Sequence, residues 1–500
     1  MTSGVLIADR GRCNPVPGEL NFQLVVWVGS VFGVVVLLSA AAELPFYFLA
    51  GAFLAGGLLL VLPFAGSPTN ALVLALLFVV AFNSAYHPVF GFFSGLSGYP
   101  SGLFRYALGL RSAWFVSALS LVVLMVVKGL GADSRFRSNM LAGLFSIAVL
   151  SVCFLGSGAA IDARITYAVN SFLPLVLTVF LLGLLFSIPK LGDKDVDVVS
   201  AVCLLGVLAG ALHFVLLPVT YDFFRPDLAS FMRARPGEWI PAGGYDPSWG
   251  TRILGYVTNR FVGSFPDPIV AGYFFACLGF AFLVMRRFVF AATFGILLFL
   301  SLSKGAWLLL FQALVLYLVG RRSVPAMFWG TVGFVVIQLL LATLLDASNR
   351  MHFLGLVGGI KSVFHGGAKA LVLGYGIGDG GNLGRGYLED GALGAGWLGS
   401  GSESGVGVLV HQLGGLGVLA LSSLLIVSLR TLLTVGRTAD RRLRDRVVAV
   451  VALVCSWLAN MPLQENCINA SILSSVLLAA LLLRSLVTKN GNDITSRPGG

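Results

Sequence analysis

The run Arg260-Phe-Val-Gly-Ser-Phe-Pro-Asp-Pro268 places a guanidinium, a carboxylate and two prolines at the mouth of an apolar stretch. Further along, apolar sequence runs into Ser303-Lys304-Gly305, a second cation at a span boundary. Charges this close to hydrocarbon cost on the order of a few kcal/mol each, and such residues face a protein cavity rather than lipid. Two cations opening onto one cavity suit an anionic ligand such as phosphate. Glu403 stands at a third boundary, in Ser402-Glu-Ser-Gly-Val-Gly-Val-Leu-Val-His-Gln-Leu-Gly-Gly-Leu-Gly417. Partial desolvation there raises a carboxylate pKa toward a value useful for proton abstraction. The plainer alternative is a helix-start carboxylate stabilised by the dipole and free backbone amides.

The elements that must carry these residues follow from composition. Hydrophobic residues make up 57% of the chain, charged residues 11%, and mean hydropathy is +0.92, far from a soluble globular protein. Apolar runs long enough to cross a bilayer recur throughout, which predicts an all-α, polytopic integral membrane protein of about fourteen transmembrane helices. They lie at 22–42, 45–64, 68–86, 112–130, 139–160, 168–189, 197–219, 267–285, 288–302, 304–320, 325–346, 404–434, 447–463 and 470–488. The expected organisation is a tail at 1–21, one helical membrane domain at 22–488 and a second tail at 489–500. The first apolar run is not read as a cleaved signal, because similar spans continue to the other end.

Lys and Arg placement sets the orientation. With both termini cytoplasmic, the inner segments collect most of the cations, including the run Arg437–Arg446. The formal charge of +11 then reflects topology and anionic lipid contact rather than nucleic-acid binding. Two outer loops, 220–266 and 347–403, exceed all other connections in length. The first mixes Arg225, Arg233, Arg235 and Arg252 with Asp222, Asp227, Trp239 and Trp249. Rings stack on sugar faces and guanidinium forks grip phosphate, so Arg225, Arg252 and Asp267 are substrate-binding candidates. An interfacial aromatic belt with ordinary surface charges is the bland alternative. The second loop carries Leu373-Gly-Tyr-Gly-Ile-Gly378, where glycine permits tight turns and close approach of backbone. The run lacks the strand-to-helix context of a dinucleotide fingerprint. His365 and Arg385 join the substrate-binding candidates, with His352 beside them.

The six cysteines form no CxxC pair and read as small buried apolar residues. The five histidines have no metal-ligand spacing, so no metal centre is expected. His213 and His411 fall within predicted spans, as polar helix contacts.

Three ordered blocks carry a family resemblance. They are Arg260-x-x-Gly263-x-Phe265-x-Asp-Pro268, Leu302-Ser303-Lys304-Gly305-Ala306, and Leu373–Gly378 followed by Glu403-Ser404 and Gln412-x-Gly414-x-x-Gly417. Over roughly 250–420 the chain resembles the bacterial O-antigen polymerase and ligase superfamily, polytopic proteins similar to C-type glycosyltransferases. In that family the middle block usually has Arg where Lys304 stands, which keeps charge but loses the bidentate fork. Ligases of the family usually have His-Asn where this chain has Glu403-Ser404, which favours a polymerase.

The resemblance implies a polymerase of polyprenyl-diphosphate-linked repeat units at the outer face of a bacterial cytoplasmic membrane, serving surface polysaccharide synthesis. Donor and acceptor are both lipid-linked glycans. A flippase and a chain-length regulator of the same pathway are the implied protein partners. Arg260 and Lys304 would neutralise the diphosphate leaving group, and Glu403 would take the acceptor proton. A diphosphate is already a good leaving group, so neither nucleotide nor metal cofactor is required. Rival readings are a ligase that moves finished glycan to a lipid or protein, and a flippase or transporter. A purely structural assembly scaffold would not need the three charged residues to converge.

Overall fold

The computed structural model describes residues 69–77, 79–80, 112, 115–127, 134–188, 190–192, 194–208, 250–253, 256–259, 265, 268–344, 347–384 and 401–485. These residues are helical almost throughout. The principal helices are α1 (Ser134–Leu155), α2 (Ile161–Ser187), α3 (Pro268–Val284), α4 (Phe288–Ser301), α5 (Lys304–Arg322) and α6 (Val324–Leu344). After them come α7 (Ala347–His365), α8 (Gly367–Leu373), α9 (Gly405–Thr438), α10 (Arg441–Asn460) and α11 (Ala470–Arg484). Among the described residues, six helices are long and apolar enough to cross a membrane, and four shorter ones are apolar.

Burial distinguishes core from periphery. All 15 residues of α11 are buried. Helices α3 and α10 pack against it, and α5 packs on α10. By contrast, α6 buries only Met327, Gln338 and Ala342, and exposes Trp329, Val332, Ile337, Leu340 and Leu344. A continuous apolar face of this size is unfavourable in water and matches lipid tails, where a helix satisfies its own backbone polar groups. The protein is built to be membrane-embedded.

Helix boundaries have local causes. Asp440 caps α10, accepting from Leu443 N–H at 2.7 Å, so α10 starts six residues before the expected apolar span at 447. In α2, Pro174 has no N–H for the carbonyl of Asn170, and the helix widens into a π segment at Ala168–Phe172. This lets α2 continue back to Ile161, ahead of the span expected from 168.

The stretch 347–403, expected as an outer loop, contains α7 and α8, and both pack along α9. The stretch 220–266 contains an antiparallel hairpin, β1 (Gly250–Ile253) and β2 (Tyr256–Asn259), with Arg252 opposite Val257. This hairpin is a local exception to the all-α reading.

Helix α9 is broken at Gly414, whose φ of 61° and ψ of −164° are outside helical geometry. The carbonyls of His411 and Gln412 thereby lose their usual partners. They accept instead from the N–H groups of Tyr375 and Gly376, at 2.9 and 3.0 Å. The glycine-rich run thus inserts its backbone into the break. Ile377 N–H also donates to Cys153 O at 3.2 Å, closing the last turn of α1.

Candidate functional site

Three helices begin at one end of the bundle. Helix α3 starts with Pro268, whose missing N–H is harmless in a first helical turn. Just upstream, buried Phe265 packs on Phe274 and Phe275 with ring centroids 5.2 and 5.8 Å away. One turn into α3, a Cβ at Gly272 would lie 2.6 Å from Ser303 Cβ, and a Cβ at Gly305 would lie 2.8 Å from Tyr273 Oη. Only glycine at both positions lets α3 meet the start of α5 so closely. The same Gly305 position is 3.5 Å from the Gln464 side chain, and the Cβ position of Gly405 is 3.1 Å from Gln464 O. The starts of α3, α5 and α9 therefore gather around the turn that follows α10.

The approaches to α5 and α9 share a backbone pattern. Leu302 and Glu403 have φ of 49° and 69°, and each precedes a serine that begins the helix. A left-handed non-glycine residue is strained by roughly 1–2 kcal/mol. Such strain persists only where surrounding contacts impose it. Ser404 caps α9, accepting from Gly407 N–H at 2.9 Å. Ser404, rather than Glu403, is therefore the cap of α9.

The contacts that hold Glu403 are specific. Its N–H donates to Glu465 Oε2 at 3.1 Å. Its carbonyl lies 3.0 Å from His352 Nδ1, and its Oε2 lies 3.4 Å from the same nitrogen. Both contacts require Nδ1 to carry the proton. Asn382 Nδ2 donates to Glu403 Oε1 at 3.2 Å. The side chain nevertheless keeps 31% of its surface exposed, so it can reach a ligand. Glu465 is buried and accepts from Tyr167 Oη at 2.8 Å and from Asn382 N–H at 2.9 Å. Burial pushes the Glu465 carboxyl up to about 7, and the charge of Glu403 acts in the same direction; the hydrogen bonds from Asn382, Tyr167 and Glu403 oppose it.

A second polar cluster lies further along α7. His411 Nε2 is 3.2 Å from Asp379 Oδ1, and its Nδ1 is 2.7 Å from Ser362 Oγ. Tyr375 stacks on the imidazole with centroids 4.7 Å apart. The predicted role of His411 as a polar helix contact matches this geometry. The segment 374–384 joins the clusters, since it supplies Asp379 to one and Asn382 to the other.

The structure brings Lys304 and Glu403 to helix starts that share Gln464, and Lys304 is exposed there. His365 is exposed on the last turn of α7, its Nδ1 bonded to Lys361 O at 2.7 Å. Thirteen helical residues separate it from His352, about 20 Å at 1.5 Å per residue. His365 is thus remote from Glu403. Arg260, Arg225, Asp267 and Arg385 lie outside the described residues, and of Arg252 only the backbone is described.

Glu465, Asn382 and Tyr167 were not singled out from sequence. A carboxylate between two apolar helices was the available signal for Glu465. Among the described residues no group of three or more His, Cys, Asp or Glu is placed to hold a metal ion. The described cysteines, including Cys153 and Cys467, are buried and free.

Against known families, curated proteins and solved structures, the chain has no match.

Proposed function

We propose that this protein is a membrane glycosyltransferase that polymerises polyprenyl-diphosphate-linked oligosaccharide repeat units. It works at the outer face of a bacterial cytoplasmic membrane, with both termini inside and about fourteen spans, the number set by runs long enough to cross a bilayer. The acceptor hydroxyl oxygen attacks the anomeric carbon of the donor glycan. The bond from that carbon to the diphosphate oxygen breaks, and Glu403 takes the hydroxyl proton. Lys304, with Arg260 as the second cation, holds the departing diphosphate.

The observation that carries this reading is the meeting of the α5 and α9 starts on Gln464. The helix starts that carry Lys304 and Glu403 thus border one residue, Gln464. General-base chemistry next to an anionic leaving group needs that pairing. The order of the three sequence blocks supports it as well.

The break in α9 favours one second reading. Discontinuous helices with polar groups at the break are a feature of secondary transporters. Here the freed carbonyls are already bonded to Tyr375 and Gly376, which leaves less capacity for a transported ion. A deletion strain separates the readings. Accumulated single lipid-linked repeat units indicate a polymerase, finished polymer awaiting transfer indicates a ligase, and repeat units trapped on the inner leaflet indicate a flippase.

A further inference from the structure

Glu465 lies in the turn Glu465–Ile468 between α10 and α11, with 7% of its surface exposed. An ionised carboxylate has about four lone-pair sites, and three donors engage both oxygens here. Oε1 accepts from Tyr167 Oη at 2.8 Å and from Asn382 N–H at 2.9 Å. Oε2 accepts from the same Asn382 N–H at 3.1 Å and from Glu403 N–H at 3.1 Å. Buried and held by donors on both oxygens, Glu465 faces its protein partners.

Its partners have a common consequence. Glu465 grips the backbone N–H of Glu403 directly. It also grips the backbone N–H of Asn382, whose side chain holds Glu403 Oε1. One buried carboxylate thus fixes both the strained backbone of Glu403 and the amide that aims its side chain. Resting on the reading of Glu403 as general base, we infer that ionised Glu465 is the positioning residue that holds Glu403 in its left-handed, substrate-ready conformation.

Protonation of Glu465 removes its charge and one acceptor site. The Tyr167 hydroxyl can reverse to accept the new proton, but the bonds from the Asn382 and Glu403 N–H groups then go to a neutral carboxyl and weaken. The titratable groups around it are Tyr167 from α2, Glu403 before α9 and His352 of α7 behind Glu403. Lys304 opens α5, whose next residue Gly305 abuts Gln464, and Cys467 of the same turn donates to Tyr273 of α3. Glu403 is the anionic neighbour and resists ionisation of Glu465, while the N–H donors favour it. Neutral pH is then the range in which Glu403 is locked or released.

The test compares wild type, Glu465→Gln and Glu465→Asp as full-length protein in two assays. The first is amide hydrogen exchange of the peptide spanning Gly401–Gly405, corrected for intrinsic rate, which needs no activity. It should speed up in Glu465→Gln, and in wild type as pH falls through about 7. The second is polymer formation from lipid-linked repeat units. Glu465→Gln should lose roughly 10²-fold in kcat, the scale of a misplaced catalytic group, with KM unchanged. Its rate should no longer rise with pH across neutrality, and Glu465→Asp should restore part of both.

Unchanged exchange and an unchanged rate profile in Glu465→Gln would overturn the inference. If Glu465→Gln does not fold, the wild-type exchange series decides, and exchange independent of pH across neutrality overturns it. Exchange coupling without any polymer from wild type would instead overturn the polymerase reading and leave the Glu465–Glu403 link standing.

Discussion

The backbone N–H of Glu403 donates to Glu465 Oε2 at 3.1 Å, so one carboxylate sets the conformation of another 62 residues away in sequence. Glu403 adopts φ of 69° without being glycine, and its neighbour Ser404 takes the capping role. The Glu403 carboxylate is left to Asn382 and His352 instead of the helix amides.

Exchanging Glu403 for Gln keeps its size and hydrogen bonding but removes the proton acceptor. Transfer by purified, folded protein should fall by roughly 10²–10⁴-fold, the usual contribution of a general base. Replacement by glycine is a complementary probe. Glycine adopts this φ without strain, which offsets the loss of the Asn382 and His352 contacts, so Glu403→Gly should unfold near the wild-type midpoint while polymer formation is lost. A near-normal rate in Glu403→Gln would return the residue to a structural role.

Stability should depend on pH through Glu465. Its folded value of about 7 lies above the ordinary 4.5 because burial favours the neutral form. The unfolded chain therefore releases this proton at lower pH than the folded one. The stabilisation is fully present below about 4.5 and is lost as pH rises to about 7. The total is about 3 kcal/mol at 1.36 kcal/mol per unit. The thermal midpoint of wild type minus that of Glu465→Gln, followed from acid to neutral pH, should fall over that window and level off above it.

The cations should differ in tolerance. Arg260→Ala is expected to abolish polymer and Arg260→Lys to retain little, because an ammonium lacks the planar fork. Lys304→Ala should also lose activity, whereas Lys304→Arg keeps the charge and should be active. Arg385→Ala should be milder. The readout is polymer length and yield in cells with matched expression. Normal polymer from Arg260→Ala would remove its phosphate role.

Straightening α9 should be costly. Gly414→Ala puts a side chain on a φ of 61° and against the backbone of Gly374 and Val372. It should destabilise by about 1–2 kcal/mol or more, the scale of left-handed strain in an L-residue. Gly333→Ala, inside α6 with nothing within 4 Å of the new Cβ, should cost little. Thermal unfolding in detergent ranks the two.

Sequence alone determined that this chain forms apolar helices for a bilayer, because hydrocarbon leaves the backbone no hydrogen-bond partner other than itself. It also exposed Lys304 and Glu403, since a charge next to an apolar run is costly enough to stand out. The helical character of 347–373 was hidden by glycine, which lowers local propensity but allows α7 and α8 to pack closely on α9. Only the tertiary structure decided what Glu465 does. Its donors Tyr167, Asn382 and Glu403 lie 298, 83 and 62 residues away, so no local spacing records them. A buried carboxylate is favourable only when distant chain segments bring it N–H and O–H groups, and that assembly exists only once the helices have packed.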